Sequence, residues 1–215
     1  EAVLKTGKPD DGSLGALDRE KVPHNVSASD RRKEGIVVAL GSVALHLKND
    51  DIEGTIDETI DMLINALKTP SEDVQSSVAL CLSKLMKKGK TQSRIDAILS
   101  ELIKDCLGGD KLATRRGAAY GISAVVKGSG IATLKKYEVV KQLEDACSNG
   151  SSNEKEGALF AIELLSGRLA LLFEPYVIVL LPSLLKSFSD SSDYVRDAAS
   201  HTADLIMSKL SAHGV

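Results

Sequence analysis

The chain of 215 residues contains no tryptophan, and aromatic residues make up only 3% of it. A core without large rings has to be built from Leu, Ile, Val and Ala, the side chains of stacked helices. Cysteine is scarce too. Cys81, Cys106 and Cys147 are odd in number and stand among apolar or small residues, which excludes a dense disulfide framework and reads as buried, reduced thiols. There is no charged-then-apolar leader pattern and no uninterrupted apolar run long enough to cross a bilayer, so no membrane partner is expected and the chain is read as cytoplasmic. Excess positive charge is also missing. The formal net charge is −3, which argues against DNA binding by bulk electrostatics and leaves only local basic patches.

Reactive constellations are equally absent. His24, His46, His201 and His213 have no metal-ligand spacing with Cys or a carboxylate. Ser200, His201 and Asp204 crowd one helical stretch and cannot form the relayed geometry of a triad. Gly128-Ser129-Gly130 lacks the lysine and the preceding strand of a phosphate cradle. The expectation is a chain that is not an enzyme and holds neither cofactor nor metal.

What the sequence does contain is a period. Arg116-Gly117-Ala118-Ala119-Tyr120-Gly121-Ile122 returns as Glu156-Gly157-Ala158-Leu159-Phe160-Ala161-Ile162, 40 residues later. Upstream, Ser77-Val78-Ala79-Leu80 and Gly35-Ile36-Val37-Val38 occupy the corresponding places, and Asp197-Ala198-Ala199 does so downstream. A period of about 40 residues with two helices per unit is the signature of HEAT-type arrays. The fold class expected is therefore all-α, a right-handed HEAT-repeat solenoid of about four to five helix pairs.

Caps and breakers divide the chain. Residues 1–29, broken by Pro9, Gly12, Gly15 and Pro23, read as a polar loop or linker, and residues 30–215 as the array. Its units are a single helix over about 30–48, capped by Asp30, then pairs over about 55–88, 92–128, 137–172 and 175–210. Ser71 caps the second helix of the first pair, with Glu72 and Asp73 favouring its N-terminus. Thr114 is the expected cap of the helix that carries Gly117 and Gly121. These glycines, four apart on one face, predict a close approach between second helices. The last helix, with Leu205, Ile206 and Leu210, is expected to leave an apolar strip uncovered.

Two basic groups are the candidate contact surface for a ribosome or another partner. Lys84, Lys87, Lys88, Lys90 and Arg94 crowd the turn between two units, and Arg115, Arg116, Lys127, Lys135 and Lys136 form the second group. Cations at a helix C-terminus also complement its dipole. Arg116 and Arg196, two periods apart, have the alternative reading of a ladder paired with acids of the next unit.

The segments RRGAAYGISAVVKGSGI (Arg115–Ile131), EGALFAIELL (Glu156–Leu165), LFEPYVIVLLPSLL (Leu172–Leu185), YVRDAAS (Tyr194–Ser200) and MSKLSAHGV (Met207–Val215) carry a resemblance. They are similar to the giant HEAT-repeat translational activators of general amino-acid control, also described as stalled-ribosome sensors. The resemblance implies a cytoplasmic, ribosome-associated protein that promotes activation of the kinase of initiation factor 2 alpha. It implies a position around the start of that family's elongation-factor-3-like region, which engages the ribosome and an ATP-binding-cassette partner. It places the kinase-binding part beyond Val215. HEAT adaptors of other classes, a nuclear-transport receptor or a phosphatase-type scaffold, are the alternative reading. The lack of Trp speaks against the first of these and against a microtubule-binding array.

Overall fold

A computed structural model of the chain describes residues 28–46, 53–87 and 94–209. These residues form helices joined by short turns, with no strand among them. The helices are α1 (Ala28–His46), α2 (Glu53–Ala66), α3 (Glu72–Met86), α4 (Ile95–Gly108), α5 (Leu112–Ser129), α6 (Ala132–Lys136), α7 (Val139–Asn149), α8 (Ser152–Leu169), α9 (Glu174–Ser187) and α10 (Asp193–Lys209). A 3₁₀ turn, Ala170–Leu172, links α8 to α9. The pairs are α2/α3, α4/α5, α7/α8 and α9/α10. Residues 1–27, expected as a linker, lie outside the described residues.

Local chemistry sets the ends. The Ser71 hydroxyl accepts from the Val74 amide at 3.5 Å to open α3. Ser151 and Glu154 close a capping box on α8, whose reciprocal bonds satisfy two orphan amides. The Ser151 hydroxyl and amide hold the Glu154 carboxyl below its ordinary range. α5 departs from expectation: it opens at Leu112, behind Lys111, so Thr114 lies inside the first turn and does not cap it. α1 likewise starts two residues before Asp30, which sits in the first turn. α5 ends at Gly130, whose φ of 101° suits a residue without a side chain.

The second helices of the pairs, preceded by α1, lie side by side as a parallel row. The contacts that show it span one period each. Ser77 of α3 donates to Glu34 of α1 at 3.0 Å. Arg116 of α5 reaches Gln75 of α3 at 2.9 Å. Thr202 of α10 donates to the Leu159 carbonyl of α8 at 3.2 Å. The core fills the space between this row and the first helices, with Leu63, Leu67, Leu82, Leu99, Leu102, Ile122, Leu143, Leu159, Leu165 and Phe173 almost wholly buried. Cys81, Cys106 and Cys147 are free and buried. Burial pushes the thiols of Cys106 and Cys147 up to about 12.

The glycine face is a contact of a different kind from the one the spacing suggests. A Cβ on Gly117 would collide with the carbonyl oxygen of Leu67, at the C-terminal end of α2. A Cβ on Gly157, one period on, would collide with the carbonyl oxygen of Cys106, near the C-terminal end of α4. The close approach is thus between a second helix and the first helix of the preceding pair, backbone against backbone, and not between two second helices. Gly35, at the corresponding place in α1, meets nothing within 4 Å, since no described first helix precedes α1.

Uncovered apolar surface is also placed differently from expectation. Ile206 of α10 is buried and Leu205 is half-buried against Gly167, while Leu210 lies outside the described residues. α9 exposes Ile178, Val179, Leu181 and Leu185, α1 exposes Ile36, Val38 and Val43, and on α10 Met207 is exposed. Pro182 lies inside α9.

The Gly117 and Gly157 contacts leave no room for a methyl group. Gly117→Ala and Gly157→Ala should each destabilise by about 1–3 kcal/mol through overpacking. Gly35→Ala, in open space within a helix, should stabilise by up to about 1 kcal/mol. Urea unfolding midpoints of the three variants check this, and equal midpoints for all three would contradict the assigned contacts.

Candidate functional site

The parallel row gives the array two edges. At one, the second helices begin; at the other, they end and the next first helices begin. The eight candidate cations among the described residues divide between these edges, and their surroundings differ.

Arg115 and Arg116 stand at the starting edge. Successive helical residues point about 100° apart, so these neighbours leave α5 on different faces. Arg116 turns back to the preceding pair. It donates to Glu72 at 3.1 Å, to Gln75 at 2.9 Å and to the Pro70 carbonyl at 2.9 Å. Arg115 turns forward and pairs with Glu156 of α8, its Nε lying 3.1 Å from the carboxylate. Its remaining donors cap the end of α4, through the carbonyls of Gly109 at 2.8 Å and Asp110 at 3.0 Å. Arg115 and Glu156 are each only 5% exposed. Burial therefore removes Arg115 from the candidate contact surface, and a one-sided engagement with the array restricts Arg116.

The same position recurs along the edge. Gln75, 40 residues before Arg115, donates to the carbonyls of Leu67 at 2.9 Å and Thr69 at 2.7 Å, at the end of α2. Lys155, 40 residues after it, pairs with Asp190 at 2.7 Å. Lys155 and the Ser192 amide hold the Asp190 carboxyl below its ordinary range. Arg196 of α10 donates to the Asp190 carbonyl at 2.7 Å and pairs with Asp193 of its own helix. A polar side chain one turn into each second helix thus meets either the carbonyls left at the end of a first helix or an acid of the next pair. Tyr120 extends the ladder with a 3.0 Å bond to Glu72, and Arg168 covers its ring at 5.2 Å. Burial first, and the Glu72 carboxylate next, push the Tyr120 phenol up.

The ending edge carries the other group. Lys84 lies in the last turn of α3 and Lys87 caps it. Lys127 lies in the last turn of α5, and Lys135 and Lys136 end α6. All five are exposed. Lys88 and Lys90 lie outside the described residues. Arg94 is held by the array: it is 3.0 Å from Asp57 and 2.5 Å from Asp61 of α2. The Asp61 hydrogen bond raises its already high pKa. Lys136 lies 3.9 Å from Asp96 and 2.8 Å from the Tyr137 hydroxyl. Lys84, Lys87, Lys127 and Lys135 make no ion pair with a described residue.

The pairing of Glu72, Glu156, Asp57 and Asp61 with the arginines was not read from the sequence, although one signal was available. Glu156 aligns with Arg116 in the repeat, so parallel neighbours in register set it beside Arg115. Among the described residues no three of His, Cys, Asp and Glu come together as a metal site, and no helix is long and apolar enough to cross a membrane.

The family model described as EF3 N-terminal HEAT repeat matches residues 115–215. The human protein "Stalled ribosome sensor GCN1" is 42% identical over 218 residues, which cover 100% of this chain and 8% of that protein. This chain is a HEAT-repeat relative of the GCN1 proteins. The similarity extends to the Arabidopsis thaliana "Protein ILITYHIA", 43% identical over 197 residues that cover 89% of this chain and 7% of that protein. The Saccharomyces cerevisiae "eIF-2-alpha kinase activator GCN1" is 32% identical over 192 residues, covering 88% and 7%. The chain thus spans less than a tenth of the length of these relatives.

The Arg115–Glu156 pair is the buried link of the ladder. Glu156→Ala should cost about 3–5 kcal/mol, because a guanidinium is left charged and buried. Removing both charges, as Arg115→Met with Glu156→Met, should recover part of that loss. Lys141→Ala, at an exposed pair with Glu138, should leave stability unchanged. Chemical denaturation of the three variants reads these differences, and a Glu156→Ala midpoint equal to the parent's would refute the link.

Proposed function

We propose that this chain is a non-catalytic scaffold segment of a ribosome-associated translational activator that promotes activation of the eIF-2α kinase in amino-acid starvation. The observation that carries the reading is the similarity, over 86% to 100% of the chain, to proteins named stalled ribosome sensor and eIF-2-alpha kinase activator. On this reading the protein acts in the cytoplasm. The match of residues 115–215 to the EF3 N-terminal HEAT model supports a place at the start of an elongation-factor-3-like region, with the ribosome and an ATP-binding-cassette protein as partners. The kinase-binding part belongs to chain outside this segment. The ending edge with Lys84, Lys87 and Lys127 is the proposed contact surface, because the starting edge is closed by its own ion pairs.

Nothing in the described geometry favours a nuclear-transport or phosphatase-type adaptor over this reading. A repeat array sets distance as well as offering surface, since each repeat contacts only its neighbours and adds length in proportion. Deleting residues 28–209 from the full-length protein should therefore impair kinase activation in starved cells. The isolated segment should neither hydrolyse nucleotide nor stimulate the kinase. Phosphorylation of initiation factor 2 alpha and co-sedimentation with ribosomes are the measurements. Full kinase activation by the deletion protein would overturn the proposal.

A further inference from the structure

We infer that the edge carrying Lys84, Lys87, Lys127 and Lys135 binds an RNA phosphate backbone, an inference that rests on the ribosome-associated reading and names the chemistry of its contact surface. Lys87 and Lys127 stand one period apart at the ends of adjacent parallel helices. Those ends are fixed against each other. Gly128 lies on the Met86 side chain and the Ser83 carbonyl, where a Cβ would not fit. Packed helices lie roughly 8–10 Å apart, so the two lysine stems leave the array at a set spacing. Lys84 lies one turn before Lys87, and Lys135 follows the end of α5 through the short helix α6.

Three acids of this edge already have cations. Asp57 and Asp61 are held by Arg94, and Asp96 by Lys136 and the Tyr137 hydroxyl. The four lysines remain as charges without a carboxylate among the described residues. All four heads are ammonium groups. An ammonium is a compact point charge with rotatable donors, and it can follow a row of phosphates without a fixed two-point geometry. Arg94, Arg115, Arg116 and Arg196 are engaged within the array. Tyr137 has its hydroxyl tied to Asp96 and one face of its ring under the Lys136 ammonium at 4.7 Å. Contacts of this kind position a backbone and read no sequence.

The test uses the 215-residue chain and a labelled oligouridine of about 20 nucleotides, with binding followed by fluorescence anisotropy from about 50 to about 200 mM salt. The parent should bind at low salt, with log affinity falling linearly in log salt. Lys84→Gln/Lys87→Gln/Lys127→Gln should reduce that slope by about 2, at about 0.7 per phosphate contact on a single strand, and weaken low-salt binding at least about tenfold. Lys141→Gln should leave the slope unchanged. If the triple variant melts below the parent by circular dichroism, Lys87→Gln and Lys127→Gln are read singly, each lowering the slope by about 0.7. Absence of binding by the parent, or a slope that these variants leave intact, overturns the inference. So does equal binding of a polyglutamate of the same length that is lost in the same variants, since that result assigns the edge to an acidic protein. A failed RNA assay beside a deletion that still impairs kinase activation removes the RNA contact and leaves the scaffold reading standing. RNA binding beside a silent deletion supports the contact and removes the scaffold reading.

Discussion

Two carbonyl groups determine how close the helices of this array can come. The oxygens of Leu67 and Cys106, near the ends of α2 and α4, lie where Gly117 and Gly157 have no side chain. Each contact joins a second helix to the first helix of the pair before it. Glycine inside a helix costs about 1 kcal/mol relative to alanine. That cost is offset only if the close approach brings other groups into reach, and here it does. The Leu67 carbonyl receives the Gln75 amide at 2.9 Å, and the Cys106 thiol donates to the Gly157 carbonyl at 3.1 Å. Leu67 and Leu102 pack against the second glycine of the face, Gly121. A methyl at Gly117 would move a whole pair, because backbone and not a flexible side chain stands opposite.

The polar ladder follows from that spacing. Helix ends brought this close leave carbonyls without water, and a buried carbonyl needs a donor. Gln75 and Arg115 supply donors from the same place in successive repeats, and Arg115 also carries a charge that Glu156 must answer. Buried ion pairs of this kind are weak evidence for net stability, since desolvation offsets most of the attraction. Their effect lies in register. A one-residue slip between α5 and α8 would leave both charges buried and unpaired, so the pair selects a single alignment. Side-chain packing of Ala, Val and Leu alone would discriminate less sharply, because those shapes recur at neighbouring positions.

The architecture was legible in the sequence because a period survives in the order of residues whatever their identity. The offset of 40 residues marked the second helix of each pair, and Ala118, Ala119, Ile122, Ala158, Leu159 and Ile162 of that repeat are buried. Periodicity shows which residues share a face without showing what lies opposite. Hence the glycine face was recognised while its partner, a first helix of the preceding pair, was not. The basic clusters show the same limit. Arg115 and Lys127 read alike as cations near helix ends, yet one is buried against Glu156 and the other is exposed. Only the direction of each side chain across the row separates them, and that direction needs the register of neighbouring helices. α9 was obscured for another reason. It is apolar on more than one side, so composition could not distinguish the buried Val177, Leu180 and Leu184 from the exposed Ile178, Leu181 and Leu185.

The two edges are mechanically one. Arg116 ties the start of α5 to the start of α3, and Gly128 seats the end of α5 against the end of α3. Helices held at both ends cannot slide along each other, so the spacing of Lys87 and Lys127 follows from the ladder at the opposite edge. A long protein built from such units gains two properties from the same set of contacts. Its reach grows with the number of repeats, because each unit adds its own length. Its surface charges keep fixed intervals, because each interval is set by packing within the row and not by the flexible lysine stems. In such an array a fixed length and a fixed charge spacing come from one set of packing contacts.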